Sequence, residues 1–343
     1  MNTALIRKRI RNAKMKAEEK QVGRYSATTT ALLYLDGVVY LPICEEMRKR
    51  LDAFEVDGIE DGGMIEYLTR KKKEGRFPVY QTTERPDRAA QAILEGRVVL
   101  LTDNSPEALI FPATLNSLFQ TADDYYRNER IVTFLRLIRY VAAFLALALP
   151  GLYVAAATFH PQLLPGNLIR SMAEARSGVP FPTAAEVLLM ELSFELLREA
   201  GLRMPGPAGN TIGIVGGLIV GQAAVSANLV SPITVTVAAL TALGSFSIPN
   251  EELSEVFRLW KYGILLLGSC FGILGVMLGC FLLLMLMAEQ ESYGIPWLYP
   301  YVGGNLNERA DEKDSMFLAA ARKRKRRPIF AKWGNRIRFR RKS

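Results

Sequence analysis

The chain has 343 residues and a formal net charge of +9, and half of its residues are hydrophobic, slightly above the globular norm, so two or three domains fit. Its three cysteines, Cys44, Cys270 and Cys280, have no paired spacing, which argues against a disulfide framework and against a zinc site. The charge is uneven, because the stretch from Arg322 to Lys342 holds twelve lysines and arginines and no acidic residue.

Composition divides the chain into three parts. We predict a charged cytosolic domain over residues 1–130, an apolar membrane domain over 131–300 and a basic cytoplasmic tail over 301–343. An apolar helix just upstream of the tail favours attraction of the tail to anionic membrane lipid. Nucleic-acid binding and a merely solvated end are weaker interpretations of the same charges, and we expect no nucleic acid as a partner.

The first 130 residues predict a small α/β domain. The opening twenty residues are basic and helix-prone, and they lack the apolar core of a cleavable signal peptide. A strand is predicted over residues 28–35, and helices over 44–54, 62–75 and 83–96. The last helix is expected to have Thr83 as its N-cap and to close at Gly96. The segments RVVLLTD and EALIFPA, joined by the turn NSP, predict a β-hairpin.

This domain carries no motif of an enzyme. The single histidine, His160, lies outside it, and neither a phosphate-binding glycine loop nor a nucleophile elbow follows a strand. The cluster of Glu84, Arg85 and Asp87 is interpreted as a helix start with local ion pairs. We therefore predict that the protein is not an enzyme and uses no cofactor and no metal.

The apolar part predicts an integral membrane α-helical bundle of about four spans. The first span covers Leu137–Phe159, and the arginines before it place its N-terminal side in the cytoplasm. Further spans are predicted over Thr211–Leu229, Pro232–Ile248 and Ile264–Met287. Residues 183–201 form an amphipathic or re-entrant helix, and its charged face groups Glu191, Glu195, Arg198 and Glu199. Four spans return the basic tail to the cytoplasm, whereas five would place it outside. An aromatic group after the last span suits an interfacial belt: Tyr293, Trp297, Tyr299 and Tyr301.

Small residues align on two of the predicted spans and are typical of close helix packing. One set belongs to the second span and the other to the last: Gly213, Gly217 and Gly221, then Gly268, Gly272, Gly275 and Gly279. Gln222 and Ser226 lie opposite the first set. Because unpaired amides are costly in hydrocarbon, we expect this helix to be packed between neighbours or beside a hydrated path.

Five blocks of the sequence resemble the A subunit of the GerA-type spore germination receptors, a family that also contains the stage V sporulation protein AF group. The blocks occur in the family order and cover about 300 residues: NTALIRKRI, YQTTERPDRAAQAILEGRVVLLTDNSPEALIFPAT, MELSFELLREAGLRMP, IGIVGGLIVGQAAVSANLVSP, and IPNEEL with SYGIPWLYPY. The third block is more similar to the receptor subunit than to the accessory group.

The resemblance implies a protein of the inner membrane of the bacterial endospore. It implies partners, namely a B subunit that resembles amino-acid transporters and a C-subunit lipoprotein, and a homo-oligomer that opens as an ion channel and releases monovalent cations when nutrient is sensed. Two departures stand beside it. The chain is expected to begin partway into the usual soluble region of the family, as a short form or through a late start, and its tail is more basic than the family leads us to expect.

The implied channel suggests candidate pore-lining residues. A ring of carboxylates beside a narrow path concentrates cations, which favours Glu191 and Glu195, with milder contributions from Gln222, Ser226, Thr234 and Thr241. A structural alternative pairs the glutamates with Arg198 and Arg203 at the membrane surface. A non-conducting scaffold that clusters receptors is a second hypothesis. A secondary transporter is weaker, because the clear spans show no inverted repeat and no buried acid–base pair.

Overall fold

The computed structural model describes residues 2–71, 74–203, 207–302, 314–320, 322–324, 326–332 and 337, with the helical backbone alone described for 2, 207–215 and 218. The chain forms two compact units. The first combines residues 1–138 with 286–343, and the second consists of residues 139–285. Residues of the predicted tail thus belong to the same unit as the N-terminal domain, although their composition predicts two separate parts.

The first unit is built on a five-stranded antiparallel sheet with the strand order β1-β2-β4-β5-β3. The strands are β1 (Met15–Val22), β2 (Thr28–Leu35), β3 (Gln81–Thr83), β4 (Val98–Thr102) and β5 (Ala108–Phe111). The predicted strand at 28–35 and the predicted hairpin are confirmed, and the hairpin pairs Val98 with Phe111. The helix-prone opening is only half right, because β1 pairs along its whole length with the buried β2, and this pairing overrides its local preference.

Helices cover both faces of this sheet. They are α1 (Asn2–Arg9), α2 (Leu41–Asp52), α3 (Gly62–Thr69), α4 (Pro86–Glu95) and the short α5 (Leu115–Phe119). Successive residues of β2 alternate between two cores: Leu32 packs in the core that contains α2 and α3, and Leu33 in the core that contains α1 and α4. The α/β prediction for this domain is confirmed, and burial on both faces explains why the central strands β4 and β5 are almost continuously apolar.

The ends of α4 test the predicted capping signals. Gly96 closes the helix with φ +94°, as predicted. The N-cap prediction is wrong, because the helix begins at Pro86 after Arg85, which makes no side-chain cap. Thr83 instead accepts a hydrogen bond from the Arg85 amide at 3.2 Å, inside the turn that precedes the helix.

The C-terminal residues of the first unit complete its core. Strands β6 (Glu291–Ser292) and β7 (Ile295–Pro296) form a hairpin, and Trp297 lies fully buried with its indole N–H 2.7 Å from the Pro78 carbonyl oxygen. Tyr293 stacks on Phe111 with ring centroids 4.8 Å apart. The predicted aromatic belt is therefore wrong for these residues, since Tyr293, Trp297 and Tyr299 are buried inside protein, and only Tyr301 is exposed.

The described part of the basic tail packs on the same unit. Asp314 accepts hydrogen bonds from Tyr125 and from Arg136 at 3.0 Å each, and its carbonyl oxygen accepts one from Gln120 at 2.9 Å. Farther along, Ile329, Phe330 and Ala331 are buried, and Ala331 bridges to Val39. This second stretch, residues 326–332, is called the docked segment below.

The second unit is helical. Its helices are α6 (Glu129–Thr158, which begins in the first unit), α7 (Gly166–Arg176), α8 (Thr183–Arg203), α9 (Pro207–Ser226), α10 (Pro232–Phe246), α11 (Glu251–Phe271) and α12 (Ile273–Glu289, which ends in the first unit). Within the part of the chain that the structure describes, α6 alone has both the length and the apolar composition of a membrane span. Helices α10 and α12 are apolar but shorter, with 15 and 17 residues.

The predicted single span over Ile264–Met287 is wrong. Helix α11 ends at Phe271 and α12 begins at Ile273, so the two helices meet at Gly272, which has φ +64°. A Cβ at this glycine would lie 2.8 Å from the His160 ring. The run is uniformly apolar, so hydropathy gives no sign of the break, and the left-handed backbone that only glycine adopts easily decides it.

Candidate functional site: a ladder of buried charges

Helix α8 carries three glutamates that point into the helical unit, and each meets a basic residue from another helix. Together they form the charge ladder, which consists of Glu186 with Arg176, Glu191 with Lys261, and Glu195 with Arg258. The three carboxylates occupy a stretch of α8 about 14 Å long, given the rise of about 1.5 Å per residue. Ionic groups therefore run through the interior of a unit whose helices are otherwise mainly apolar.

The first pair sits at the start of α10. The side chain of Glu186 is fully buried, and it accepts hydrogen bonds from the Ser231 amide at 2.9 Å and from the Thr234 hydroxyl at 3.1 Å. Arg176 donates to it at 3.1 Å. Ser231 also caps α10, so the carboxylate lies at a helix N-terminus, where the positive end of the helix dipole stabilises an anion.

The middle pair is the most enclosed. Lys261 Nζ lies 2.6 Å from Glu191 Oε2, with the two side chains only 5% and 2% exposed. The other oxygen, Glu191 Oε1, has no hydrogen-bond partner among the described groups, and neither has the hydroxyl of the neighbouring Tyr262. Thr241 is a polar neighbour of this carboxylate, although its hydroxyl donates to the Val237 carbonyl oxygen at 2.9 Å.

The last pair is closer to solvent. Arg258 bonds to Glu195 and also lies 3.6 Å from Glu255, so its guanidinium serves two carboxylates. One turn farther along α8, Arg198 donates to the Ser245 hydroxyl at 2.8 Å and lies over the ring of Phe246. Arg198 thus contacts α10 and extends the polar face of α8, which runs from Glu186 to Arg198.

The structure brings together four of the six predicted pore-lining residues. Glu191, Glu195, Thr234 and Thr241 belong to this polar interior. Gln222 and Ser226 do not, because both are exposed on α9.

The alternative pairing with Arg198 and Arg203 is wrong for Glu191 and Glu195, and it holds for Glu199. The partners of Glu191 and Glu195 come from α11, and Arg203 instead pairs with Glu199 at 2.6 Å on the exposed side of α8.

Sequence reasoning missed Glu186, Arg258 and Lys261. The predicted span begins at Ile264 and so leaves out Arg258 and Lys261, whereas α11 begins earlier, at Glu251. Arg258 and Lys261 are three residues apart and so share a face of that helix, which is the signal that could have found them. Which carboxylates they meet, 63 and 70 residues away, could not be read from that spacing.

The predicted glycine faces pack helices within one chain. A Cβ on Gly275 would come within 2.0 Å of the Leu267 carbonyl oxygen, and one on Gly279 within 2.9 Å of the Ile264 side chain, so α11 and α12 lie against each other there. Gly268 likewise meets Val276 at 2.9 Å. The premise of a stripe along one helix is therefore wrong, because these glycines belong to two helices joined at Gly272.

On α9, the glycines also face neighbours in the same chain. A Cβ on Gly217 would lie 3.4 Å from the Phe194 ring, and one on Gly221 would lie 3.3 Å from Val235. The surroundings of Gly213 lie outside the described residues. A contact of any of these glycines with a second copy stays a prediction.

The sequence of the chain matches a known protein family. Residues 1–330 match the family described as Bacillus/Clostridium GerA spore germination protein.

The chain belongs to this family.

Individual relatives of the chain include named spore germination proteins. Spore germination protein A1 of Bacillus subtilis (strain 168) is 38% identical over 299 residues, which cover 87% of this chain and 62% of that protein. Spore germination protein KA of the same organism is 37% identical, over 87% of this chain and 55% of its own length. An uncharacterised membrane protein of that organism, YfkQ, is 38% identical over 93% of this chain and 62% of its own length. The chain thus spans roughly three fifths of these relatives, and the resemblance drawn from the sequence blocks is confirmed.

One solved structure is also similar. It is the N-terminal domain of the A subunit of the Bacillus megaterium spore germinant receptor GerK3, which is 32% identical and covers 33% of this chain and 90% of its own length, with a TM-score of 0.26. Membership in the family of germination proteins, together with a relative named as a membrane protein, suggests a membrane-associated germination protein.

Proposed function

We propose that the chain is the A subunit of a nutrient germinant receptor and that copies of its helical unit assemble into a channel for monovalent cations. One observation carries the proposal: α8 buries two of its carboxylates, Glu186 and Glu191, while it exposes several of its leucines. Glu191 is 2% exposed, whereas Leu196 is 71% exposed. Such an arrangement is the reverse of a helix on a water-soluble protein. It suits a helix with lipid or another apolar surface outside and an ion path inside.

The outer surface of the helical unit supports insertion into a membrane. Helix α12 exposes Leu274, Met277 and Phe281 by 74%, 63% and 64%, and their spacing places them on one face. Apolar surface of this kind is rare on soluble monomers and is covered by lipid or by another protein chain. We place the unit in the inner membrane of the endospore, with both termini cytoplasmic, as the resemblance implies.

The proposed partners follow from the same resemblance. They are the B subunit, the C-subunit lipoprotein, further copies of this chain and, for the basic tail, anionic lipid. The names of the relatives support a role in germination. Co-purification of the three subunits from a membrane extract, with the tail deleted in a parallel sample, tests the assembly and the lipid contact separately.

Channel activity is tested by bilayer recording on the full chain with Glu191→Gln. Removing the buried charge is expected to reduce the preference for cations over chloride, because that carboxylate supplies negative potential beside the path. The matched control is Glu199→Gln, which changes an exposed residue of the same helix and should leave selectivity unchanged. Equal selectivity in both variants and the wild type would remove the charge ladder from the conduction path.

A second candidate function is a scaffold that clusters receptors without conducting. The pairing itself favours it, since each carboxylate of the charge ladder already has a basic partner in its own chain. An accessory channel of the stage V sporulation AF type is a third. Wild-type protein that forms oligomers but shows no openings in bilayers would support the scaffold. Openings in the absence of the B and C subunits would support the accessory channel.

A further inference from the structure

In the middle pair of the charge ladder, only one of the two carboxylate oxygens of Glu191 accepts a hydrogen bond from a described group. Oε2 of Glu191 accepts from Lys261 at 2.6 Å, while Oε1 has no partner among the described groups. The Tyr262 hydroxyl is also buried and has no partner in the part of the chain that the structure describes, and Lys261 Nζ lies 4.9 Å from the Tyr262 ring centroid. Buried oxygens without a hydrogen-bond partner lower the stability of the fold, unless another group binds them in some state of the protein.

A buried carboxylate that stays ionised requires a compensating positive charge. Glu191 is 2% exposed, so bulk water cannot supply that compensation, and the Lys261 ammonium does. A bare monovalent cation has the same charge as an ammonium group and prefers the same oxygen ligands. Exchange of one for the other leaves the net charge of the interior unchanged, whereas a divalent cation would leave one positive charge in excess.

The basic residue of the middle pair is a lysine, whereas that of the last pair is an arginine. Arg258 contacts two carboxylates with a planar guanidinium, which holds it in place. Lysine carries a compact charge on a flexible four-carbon stem and can withdraw by rotating its side-chain bonds. The middle pair is therefore the releasable one, and the last pair keeps α8 and α11 together while it opens.

We infer that Lys261 is a tethered counter-ion that occupies a monovalent-cation site at Glu191 and blocks it in the resting state. Withdrawal of the ammonium vacates the site for a potassium or sodium ion, which the Glu191 carboxylate binds with the Tyr262 and Thr241 hydroxyls as neighbouring oxygens. As the gate of a channel, this device rests on the proposed function. As a cation site, it is independent of conduction.

The test uses the full chain with Lys261→Met, which keeps most of the side-chain length and removes the charge. In bilayers with potassium chloride, the open probability is expected to rise at least about tenfold over wild type, the change that about 1.4 kcal/mol of lost pairing would produce. Lys261→Arg should stay closed. The matched control is Arg203→Met, which removes a basic residue 79% exposed on α8 and should behave as wild type.

A second measurement detects the site without any current. Thermal unfolding is followed in potassium chloride and in N-methylglucamine chloride at equal ionic strength, because the larger organic cation cannot enter a buried site. Potassium is expected to raise the midpoint of Lys261→Met but not of the wild type, and the double variant Glu191→Gln/Lys261→Met should lose this response.

The two measurements separate the two ideas. Potassium-specific stabilisation of Lys261→Met with no openings in any variant would leave the cation site standing and overturn the channel. Two results would overturn the role of Lys261. One is a wild type that opens with the same open probability as Lys261→Met. The other is a melting midpoint of Lys261→Met that is the same in potassium and in N-methylglucamine.

Discussion

Gly96 offers a sharp test of how the tail docks on the first unit. It ends α4 with φ +94°, and a Cβ there would lie 2.7 Å from Ala331 Cα and 2.9 Å from the Ala331 amide nitrogen. Gly96→Ala therefore has two effects. The left-handed backbone costs an alanine about 1–2 kcal/mol whether or not the tail is docked, and the clash with Ala331 acts on docking alone.

The magnitude follows from what the docked segment buries. Ile329, Phe330 and Ala331 are 9%, 6% and 1% exposed. Burial of an isoleucine or phenylalanine side chain contributes about 1.5–3 kcal/mol, and ordering each backbone residue costs about 1–2 kcal/mol, so docking is marginal. A backbone clash is then expected to weaken docking by about 1–3 kcal/mol, which increases the undocked fraction roughly 5- to 150-fold.

The assay is limited tryptic digestion of the full chain in detergent, with release of the tail followed by mass spectrometry. The tail is rich in lysine and arginine, so cleavage reports exposure of this segment directly. The matched control is Gly294→Ala, because Gly294 has φ +78° and no described residue lies within 4 Å of its added Cβ. Both variants should lose similar global stability, and only Gly96→Ala should release the tail faster. Equal release from both variants would refute the assigned role of Gly96 in docking.

Three further predictions concern the first unit. Arg136→Met should lower the free energy of unfolding by about 3–5 kcal/mol in chemical denaturation, because it breaks the buried ion pair with Asp124, which is 2% exposed and 3.0 Å away. The hydrogen bonds from Arg48 hold the pKa of Glu18 below its usual 4.5, so Glu18 stabilises the fold above about pH 4.5 and loses this contribution as the pH falls through the lowered pKa; Glu18→Gln should flatten that part of the acid unfolding curve, and an unchanged curve would contradict the pairing. Burial raises the pKa of the Cys44 thiol to about 12, so at pH about 8.5, where an ordinary thiol is half ionised, iodoacetamide should label Cys44 only after unfolding.

Local patterns in the sequence determined much of the first unit. The β-branched run of β2, the turn between β4 and β5, and the glycine after α4 each act within a few residues, so the chain itself encodes them. The same patterns could not show that β1 is a strand. Its residues are polar and helix-prone, and they become a strand only because β2 offers a free edge to pair with.

The sequence by itself also determined the family and the helical character of the second unit, since both rest on motifs and apolar runs that are continuous along the chain. Only the tertiary structure decided which charges meet. Helical spacing shows that Glu191 points to one side of α8, but it does not say which helix lies on that side. Lys261, 70 residues away, meets this carboxylate because the fold places α11 against α8. The reversal at Gly272 was decided in the same way, because a uniformly apolar run fits one long helix or two short ones, and the left-handed backbone at this glycine selects two.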